Sequence, residues 1–419
     1  MREATRVRGV GRPRLLAVDL RGSLNLVGAI AKYLSLTTVV PAGVALGYGE
    51  PPWPFLLGGA ITGAGGWALE RGTSGDHRIG AREGFLVVSL TWLVAALIGA
   101  LPYLLSGESQ LDRPLDAYFE AMSGFTTTGA SVLTDVEGVS RSLALWRQFT
   151  QWLGGIGIVV LALAVLPRLR VGGRQLLESE LPGPEIESLS TRIRDTARRL
   201  WFLYAGLTAA LAAVLIVLGL TGIDGEMTIF DAFAHAFTTI PTGGFGTRAT
   251  SLQDFAAVTQ WTITFFMFLA GANFALMYRA FIRRHPRVFA HDEEFRLYVA
   301  LLAVGSLIVG VQLWAEGIET GEAAVRQATF QAVSMMTGTG FVNVDFDVWP
   351  VLASMTLVGL MFVGGSAGST SGSVKVVRHL LLGKILRREL DQTVHPELVT
   401  PVRLNRAVVD ERTLRAVSG

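Results

Sequence analysis

The stretch Asp116-Ala-Tyr-Phe-Glu-Ala-Met-Ser-Gly-Phe-Thr-Thr-Thr-Gly129-Ala-Ser131 decides how the chain is read. It opens on an acidic residue, continues as a short amphipathic run, and ends in Thr and Gly. The run is about a dozen residues, too short for a bilayer core, which takes about 20 apolar residues in a helix. Asp231-Ala-Phe-Ala-His-Ala-Phe-Thr-Thr-Ile-Pro-Thr-Gly-Gly244-Phe-Gly repeats the design, and so does Ala328-Thr-Phe-Gln-Ala-Val-Ser-Met-Met-Thr-Gly-Thr-Gly340-Phe. Each is flanked by long apolar segments. The repeating unit is therefore long helix, short helix, Thr/Gly strand, long helix.

The composition places this unit in a membrane. Of 419 residues, 50% are hydrophobic and 17% charged, with a mean hydropathy of +0.45. Soluble chains carry about 25% charged residues. The 48 glycines suit helices that pack closely in lipid. Without cysteine the chain has no disulfide, iron–sulfur cluster or thiolate zinc site. No nucleophile–base pair and no HExxH pattern appears, so the sequence offers no constellation for an enzyme, and nothing in it points to nucleic acid.

Apolar runs predict spans at Leu24–Leu46, Phe55–Leu69, Gly84–Leu105, Leu143–Leu166, Trp201–Leu220, Ala256–Phe281 and Phe295–Leu313. An eighth, Val351–Leu386, is too long for one crossing and is interrupted by Gly and Ser. Arginines cluster before the first span, between Arg168 and Arg199, and from Arg279 to Arg287. Lys384, Arg387 and Arg388 follow the eighth. The positive-inside rule puts these segments and the N-terminus in the cytoplasm. The alternate segments are acidic: Glu108, Asp112 and Asp116; Asp135 and Glu137; Asp224, Glu226 and Asp231; Glu316, Glu319 and Glu322; Asp345 and Asp347. They read either as a solubilising outer face or as a vestibule that concentrates cations.

Irregular backbone at membrane depth is tolerated only inside protein or along a water-filled cavity. A Thr/Gly strand there exposes carbonyls, and rings of carbonyls can replace the hydration shell of a monovalent cation. Glycine supplies the positive φ that aims successive carbonyls one way. The short helix points its negative end at the same place. The candidate ion-binding residues are Thr127, Thr128, Gly129, Thr242, Gly243, Gly244, Gly338, Thr339 and Gly340. A Thr/Gly-rich outer turn explains one such segment equally well, but not three in repeat.

Several stretches resemble the Trk/Ktr/HKT superfamily of cation-uptake proteins, most closely its TrkH-like potassium-uptake subunits. They are Phe119-Glu-Ala-Met-Ser-Gly-Phe-Thr-Thr-Thr-Gly-Ala, Gln151-Trp-Leu-Gly-Gly-Ile-Gly-Ile, Leu181-Pro-Gly-Pro184 and Gly364-Gly-Ser-Ala-Gly-Ser-Thr-Ser-Gly-Ser-Val-Lys-Val-Val-Arg378. The resemblance covers nearly the whole chain. It implies an all-α membrane protein of M–P–M units (helix, pore helix, filter strand, helix) around a pseudo-fourfold pore, with about eight spans and three pore helices. Gly129, Gly244 and Gly340 fall on the family's filter glycines. Glycine rather than serine at position 129 implies potassium as the transported ion.

The same resemblance makes Gly364, Gly365, Ser366, Ala367, Gly368, Ser369, Thr370, Ser371 and Gly372 an intramembrane gate loop beneath the filter, with Lys375 and Arg378 as adjacent charges. Gly and Ser fit a segment that changes backbone angles easily, and close helix packing is the plainer alternative. A phosphate loop does not fit, because no Gly-Lys-Ser/Thr closes the stretch. Lys375 and Arg378 read equally as anchors at the cytoplasmic interface. Lys32 lies within the first span, and His235, on the second short helix, reads as a packing or hydrogen-bonding residue rather than a proton relay.

The chain divides into a cytoplasmic arm (1–22), two leading transmembrane helices (23–80) and a first unit (81–170). A linker with the outer helix and pore segment of the second unit follows (171–253), then that unit's inner helix (254–290). A third unit with a broken inner helix (291–390) and a polar linker (391–419) complete it. A filter of this kind takes four strands and the sequence holds three, so a fourth unit is expected from a separate polypeptide, with 1–419 alone not conducting. The resemblance implies potassium uptake across a bacterial inner membrane, a homodimer, and a cytosolic TrkA-type nucleotide-binding regulatory partner. Beyond potassium as cargo, no organic cofactor or transition metal is expected. The alternatives are a non-conducting remnant or regulatory subunit, and a sodium- or proton-coupled carrier. The carrier is disfavoured by repeats of one orientation and by spans without paired carboxylates.

Overall fold

The computed structural model describes residues 18–165 and 189–418, apart from 76, 78, 79, 396, 398, 399 and 406. Most of the N-terminal arm and the Leu181–Pro184 stretch lie outside the described residues. Helix α1 (Leu20–Leu34) runs through a 3-10 turn into α2 (Val39–Tyr48), and α3 (Trp53–Gly72) packs along α1. Glycine permits that contact. A Cβ on Gly28 would stand 2.8 Å from the Gly66 carbonyl oxygen, and one on Gly66 2.7 Å from that of Gly28. Lys32, inside the first span, pairs with Glu70 of α3 at 2.5 Å, so it faces protein.

Three successive groups of helices follow. The first is α4 (Ala81–Ser106), α5 (Pro114–Phe125) and α6 (Arg141–Val165). The second is α7 (Leu189–Leu220), α8 (Ile229–Thr239) and α9 (Ala257–Ala270). After α10 (Phe274–Met277) and α11 (Val288–His291), the third is α12 (Glu293–Ala315), α13 (Gly321–Thr337) and α14 (Val351–Val363). In each group the short middle helix packs on the long helix before it. Local chemistry starts these short helices. Pro114 opens α5 with Asp116 in its first turn. Thr228 and Asp231 form a reciprocal capping box on α8, satisfying two otherwise unpaired N–H groups. The largest apolar cluster gathers α7, α8, α9, α12 and α13 around Leu215, Ile263, Met267, Tyr298 and Phe330. A second binds α2 and α3 to the first group through Ala45, Phe55, Tyr103 and Trp146.

Among the described residues, four helical stretches are long and apolar enough to cross a membrane: Leu20–Tyr48, Arg82–Ser106, Ala197–Leu220 and Glu293–Ala315. The single span expected over Ala256–Phe281 is two helices bent by 101°. Asn273 is the reason, because its side-chain oxygen accepts the N–H groups of Ala275 and Leu276 and starts a new helix. The stretch expected over Val351–Leu386 divides at its Gly/Ser segment into α14 and α15 (Val376–Val394). The third short helix begins earlier than its apolar part suggested, at Gly321.

Two further readings change. The tail, read as a polar linker, carries a two-stranded hairpin, Arg403–Leu404 with Ala407–Val408, and α16 (Glu411–Ser418). Val402 and Leu414 bury against Leu381 of α15. Part of the acidic set is structural rather than a free vestibule. Asp224 is buried and accepts from Ala256 N–H at 2.9 Å and Thr259 Oγ1 at 2.5 Å. Asp231 is buried in its cap, and Glu137 accepts the Ala249 N–H at 2.8 Å. Glu322 stands outside the spans, where the Trp261 indole N–H and then Arg326 hold its carboxyl below the ordinary carboxylate range.

Helix α6 touches the C-terminal end of α5 through Gly154, where an added Cβ would collide with the Phe125 carbonyl oxygen. Gly154→Ala is expected to cost at least the ~1–3 kcal/mol of an overpacked core. Gly157→Ala, one turn away with no atom within 4 Å of its Cβ position, instead gains up to about 1 kcal/mol of helix propensity. Melting temperatures of the two variants in detergent check the contrast.

Candidate functional site

Each short helix ends in the same way. Thr127 N–H bonds Gly124 O at 3.0 Å and Thr128 N–H bonds Ser123 O at 2.9 Å. Thr242 and Gly243 repeat the pair on Thr239 O at 3.0 Å and Thr238 O at 2.8 Å, and Gly338 and Thr339 on Met335 O at 3.1 Å and Ser334 O at 2.9 Å. This is a Schellman closure, which consumes carbonyls of the last turn and turns the chain sharply off the helix axis. The closing residue has positive φ every time: Thr127 at 54°, Thr242 at 56° and Gly338 at 73°. Two residues on, Gly129, Gly244 and Gly340 are positive again at 79°, 82° and 79°. Threonine in the left-handed region is strained, so the surrounding contacts must hold Thr127 and Thr242 there.

The three strands adjoin in order. A Cβ on Gly129 would collide with the carbonyl oxygen of Gly243, and one on Gly244 with that of Thr339. At Gly340 the same direction meets no atom within 4 Å. The middle strand is accordingly buried at Thr242 and Gly243, whereas Thr128, Gly338 and Gly340 are exposed.

Each strand is braced from behind. Hydroxyl pairs Thr126–Thr128 and Thr337–Thr339, both at 2.8 Å, hold the outer two. In the middle strand Pro241 and Gly243 replace the threonines, and Gln151 of α6 takes over: it donates to Gly243 O at 2.7 Å and accepts Phe245 N–H at 3.2 Å. One lone pair of the Gly243 carbonyl is thus committed to the scaffold. Nine residues before Gly129, Gly244 and Gly340 stand Glu120, His235 and Gln331, all fully buried. Glu120 bonds Ser131 Oγ at 3.0 Å, Val132 N–H at 3.1 Å and Arg147 Nε at 2.7 Å. Arg147 also lies 4.3 Å over the Phe245 ring, so it links the first strand's exit to the second's. His235 meets Thr247 Oγ1 at 3.5 Å between the rings of Phe255 and Phe341. Gln331 donates to Asn343 Oδ1 at 3.2 Å.

The Gly364–Gly372 loop fits into the break between α9 and α10. Ser366 N–H donates to Gly271 O at 2.9 Å, and Gly368 O accepts Phe274 N–H at 3.2 Å. Thr370 Oγ1 donates to Ile240 O at 2.9 Å, two residues before Thr242. Gly372 N lies 3.9 Å from the Cβ position of Gly338. Gly365 N–H is held by Ser371 Oγ at 2.9 Å, and Ser369 Oγ bonds Ser366 O at 2.6 Å. Ala367 N–H goes to Glu294 Oε1 at 2.6 Å. Lys375, with φ of 79°, donates its ammonium to Ser371 O and so braces the loop, while Arg378 is exposed on α15. Loop and strands therefore form one contiguous site.

Sequence reading did not find Gln151, the Glu120–Arg147 pair, Glu294, or the break at Gly271–Asn273. A signal existed for the pair, since Arg147 is a charged residue inside the span expected over Leu143–Leu166. The break had one too, since Gly271-Ala-Asn273 places a helix-capping residue inside an apolar run.

The model of the TrkH family, described as a cation transport protein, matches residues 58–418. The Escherichia coli (strain K12) protein named Trk system potassium uptake protein TrkH is 38% identical over 410 residues, 96% of this chain and 83% of that protein. The Halomonas elongata protein of the same name is 36% identical over 406 residues, with the same coverage. A crystal structure of the potassium transporter TrkH from Vibrio parahaemolyticus superimposes with a TM-score of 0.84 at 34% identity, covering 96% of this chain and 82% of that one.

The buried Glu120–Arg147 pair supplies a stability test. Glu120→Ala leaves a buried guanidinium without its anion, which is expected to cost about 3–5 kcal/mol. Replacing both residues by methionine removes both charges and is expected to recover most of that loss. A double-mutant cycle on thermal unfolding in detergent measures the difference.

Proposed function

The chain belongs to the TrkH family of cation transport proteins, and we propose that it is a potassium-uptake subunit of a bacterial inner membrane that passes its ion through a carbonyl-lined filter. The observation that carries this reading is the repeated backbone of the three strands. Alternating positive φ at Thr127 and Gly129, Thr242 and Gly244, and Gly338 and Gly340 turns successive carbonyls toward one side of each strand. The negative end of each short helix faces the same place and favours a cation. In this reading Thr127, Thr128, Gly129, Thr242, Gly243, Gly244, Gly338, Thr339 and Gly340 form the ion path, and Gly364–Gly372 is its gate, braced by Lys375. Contacts of Thr370 and Gly372 beneath the second and third strands support that assignment.

The open flank at Gly340 supports a fourth strand of the same kind on that side, from a further segment or a separate polypeptide. The names of the relatives describe a Trk system, which supports a multi-component assembly; the family resemblance extends the reading to a homodimer served by a cytosolic nucleotide-binding partner of the TrkA type. The reading orients the N-terminus to the cytoplasm.

Rubidium uptake in cells stripped of their own potassium transporters tests the proposal. One arm expresses residues 1–419, and the other adds the unmatched remainder of the Escherichia coli relative. Uptake is expected in the second arm and is expected to fall at least tenfold with Gly244→Ser, whose side chain would meet the Thr339 carbonyl. Silence in both arms, with the protein present in the membrane, favours a non-conducting subunit instead.

A further inference from the structure

Helix α12 begins with Asp292, Glu293 and Glu294, and the three side chains diverge. Asp292 caps the helix through Phe295 N–H at 2.9 Å and accepts Asn405 Nδ2 at 2.9 Å. The Glu293 N–H donates to Asn405 Oδ1 at 2.9 Å, and its carboxylate pairs with Lys384 of α15. Lys384 also donates to Arg403 O at 2.6 Å in the hairpin. Glu294 turns the opposite way. It is 8% exposed and accepts the Ala367 N–H at 2.6 Å from the Gly364–Gly372 loop. One helical turn therefore grips the C-terminal hairpin with two residues and the loop with the third.

We infer that Glu294 is a positioning residue for the loop, and that the Asp292–Glu294 turn joins the loop to the hairpin as one mechanical unit. The inference rests on reading that loop as the gate. A bond from a peptide N–H to a carboxylate is stronger than a neutral one, and the group is expensive to bury without it. Besides the Lys375 ammonium on Ser371 O, which comes from the loop's own continuation, the loop's ties to its neighbours are neutral: Ser366 to Gly271, Phe274 to Gly368, and Thr370 to Ile240. Glu294 is thus the carboxyl tether that reaches from a neighbouring helix to a segment rich in glycine and serine. The hairpin is not loose chain, since Val402 and Leu414 seat on Leu381 and Arg388 pairs with Glu411 at 2.7 Å. Helix α15 completes the circuit, because its first N–H, from Val376, bonds Gly365 O at 3.0 Å inside the loop. A push on the hairpin reaches the loop along α15 and along the first turn of α12.

The absence of cysteine makes the test clean. A single Ser366→Cys reporter replaces a buried hydroxyl that has no hydrogen-bond partner, and Ser142→Cys on α6 is a buried control. The rate of modification by a charged methanethiosulfonate is measured on the full chain in detergent. Glu294→Ala is expected to raise the rate at position 366 about tenfold or more, the loss of one hydrogen bond to a charged group. Glu294→Gln, which keeps an acceptor oxygen, is expected to raise it less, and Asn405→Ala to raise it through the hairpin. The control thiol stays slow throughout. An unchanged rate at 366 in Glu294→Ala overturns the inference, and so does equal acceleration at 366 and 142, which reports general loosening. Rubidium uptake by the same variants, with the fourth segment supplied, separates the two readings. Faster labelling with altered uptake supports both, and faster labelling with unaltered uptake keeps the tether while removing the gate.

Discussion

A backbone that leaves its helix inside a membrane must still satisfy its N–H and carbonyl groups, and every unusual feature of this chain follows from that demand. At each short helix the Schellman closure consumes the carbonyls of the last turn, leaving the following strand as the irregular piece. In the middle strand Gln151 meets backbone groups from the side, whereas in the outer two threonine hydroxyls pair with each other and with a carbonyl of the short helix. The second break, at Gly271–Asn273, is met by the Gly/Ser loop, whose Ser366 N–H and Gly368 carbonyl stand in for missing helical partners. Two interrupted helices repair each other, and this seats the loop against the second and third strands.

Glycine does two separate jobs in the same framework. At Gly129 and Gly244 it provides both the positive φ and the room for the next strand's carbonyl. At Gly28, Gly66 and Gly154 it lets helices touch through their backbones. Neither role is served by alanine, and the high glycine content follows from contact distance as much as from flexibility.

The repeat was legible because it rests on local chemistry. Acidic start, short amphipathic run and Thr/Gly ending are all encoded within about one short helix and its turn, and the structure places Thr127, Thr242 and Gly338 in matching closures. The interruption within Val351–Leu386 was legible for the same reason. What stayed hidden depends on partners distant in sequence. Gln151 meets Gly243, Glu294 meets Ala367, and Asn405 meets Glu293, with nothing local to announce any of them. The bend after Ala270 was masked by continuous apolarity, since hydropathy reports what faces lipid and says little of where a helix breaks inside protein. The tail failed for the opposite reason: few apolar residues are enough to fold a hairpin when α15 supplies the surface.

Glu120, His235 and Gln331 occupy one position in three copies of a unit, yet one is an anion, one an imidazole and one a neutral amide. An assembly of identical chains must fill such a position with one residue used every time. A single polypeptide escapes that symmetry. Each unit is fitted to its own neighbour, Arg147 in the first, Thr247 in the second and Asn343 in the third. The copies have thereby lost their interchangeability. Their order along the chain is fixed chemically as well as by connection, and a unit moved to another place in that order would carry the wrong partner into a buried wall.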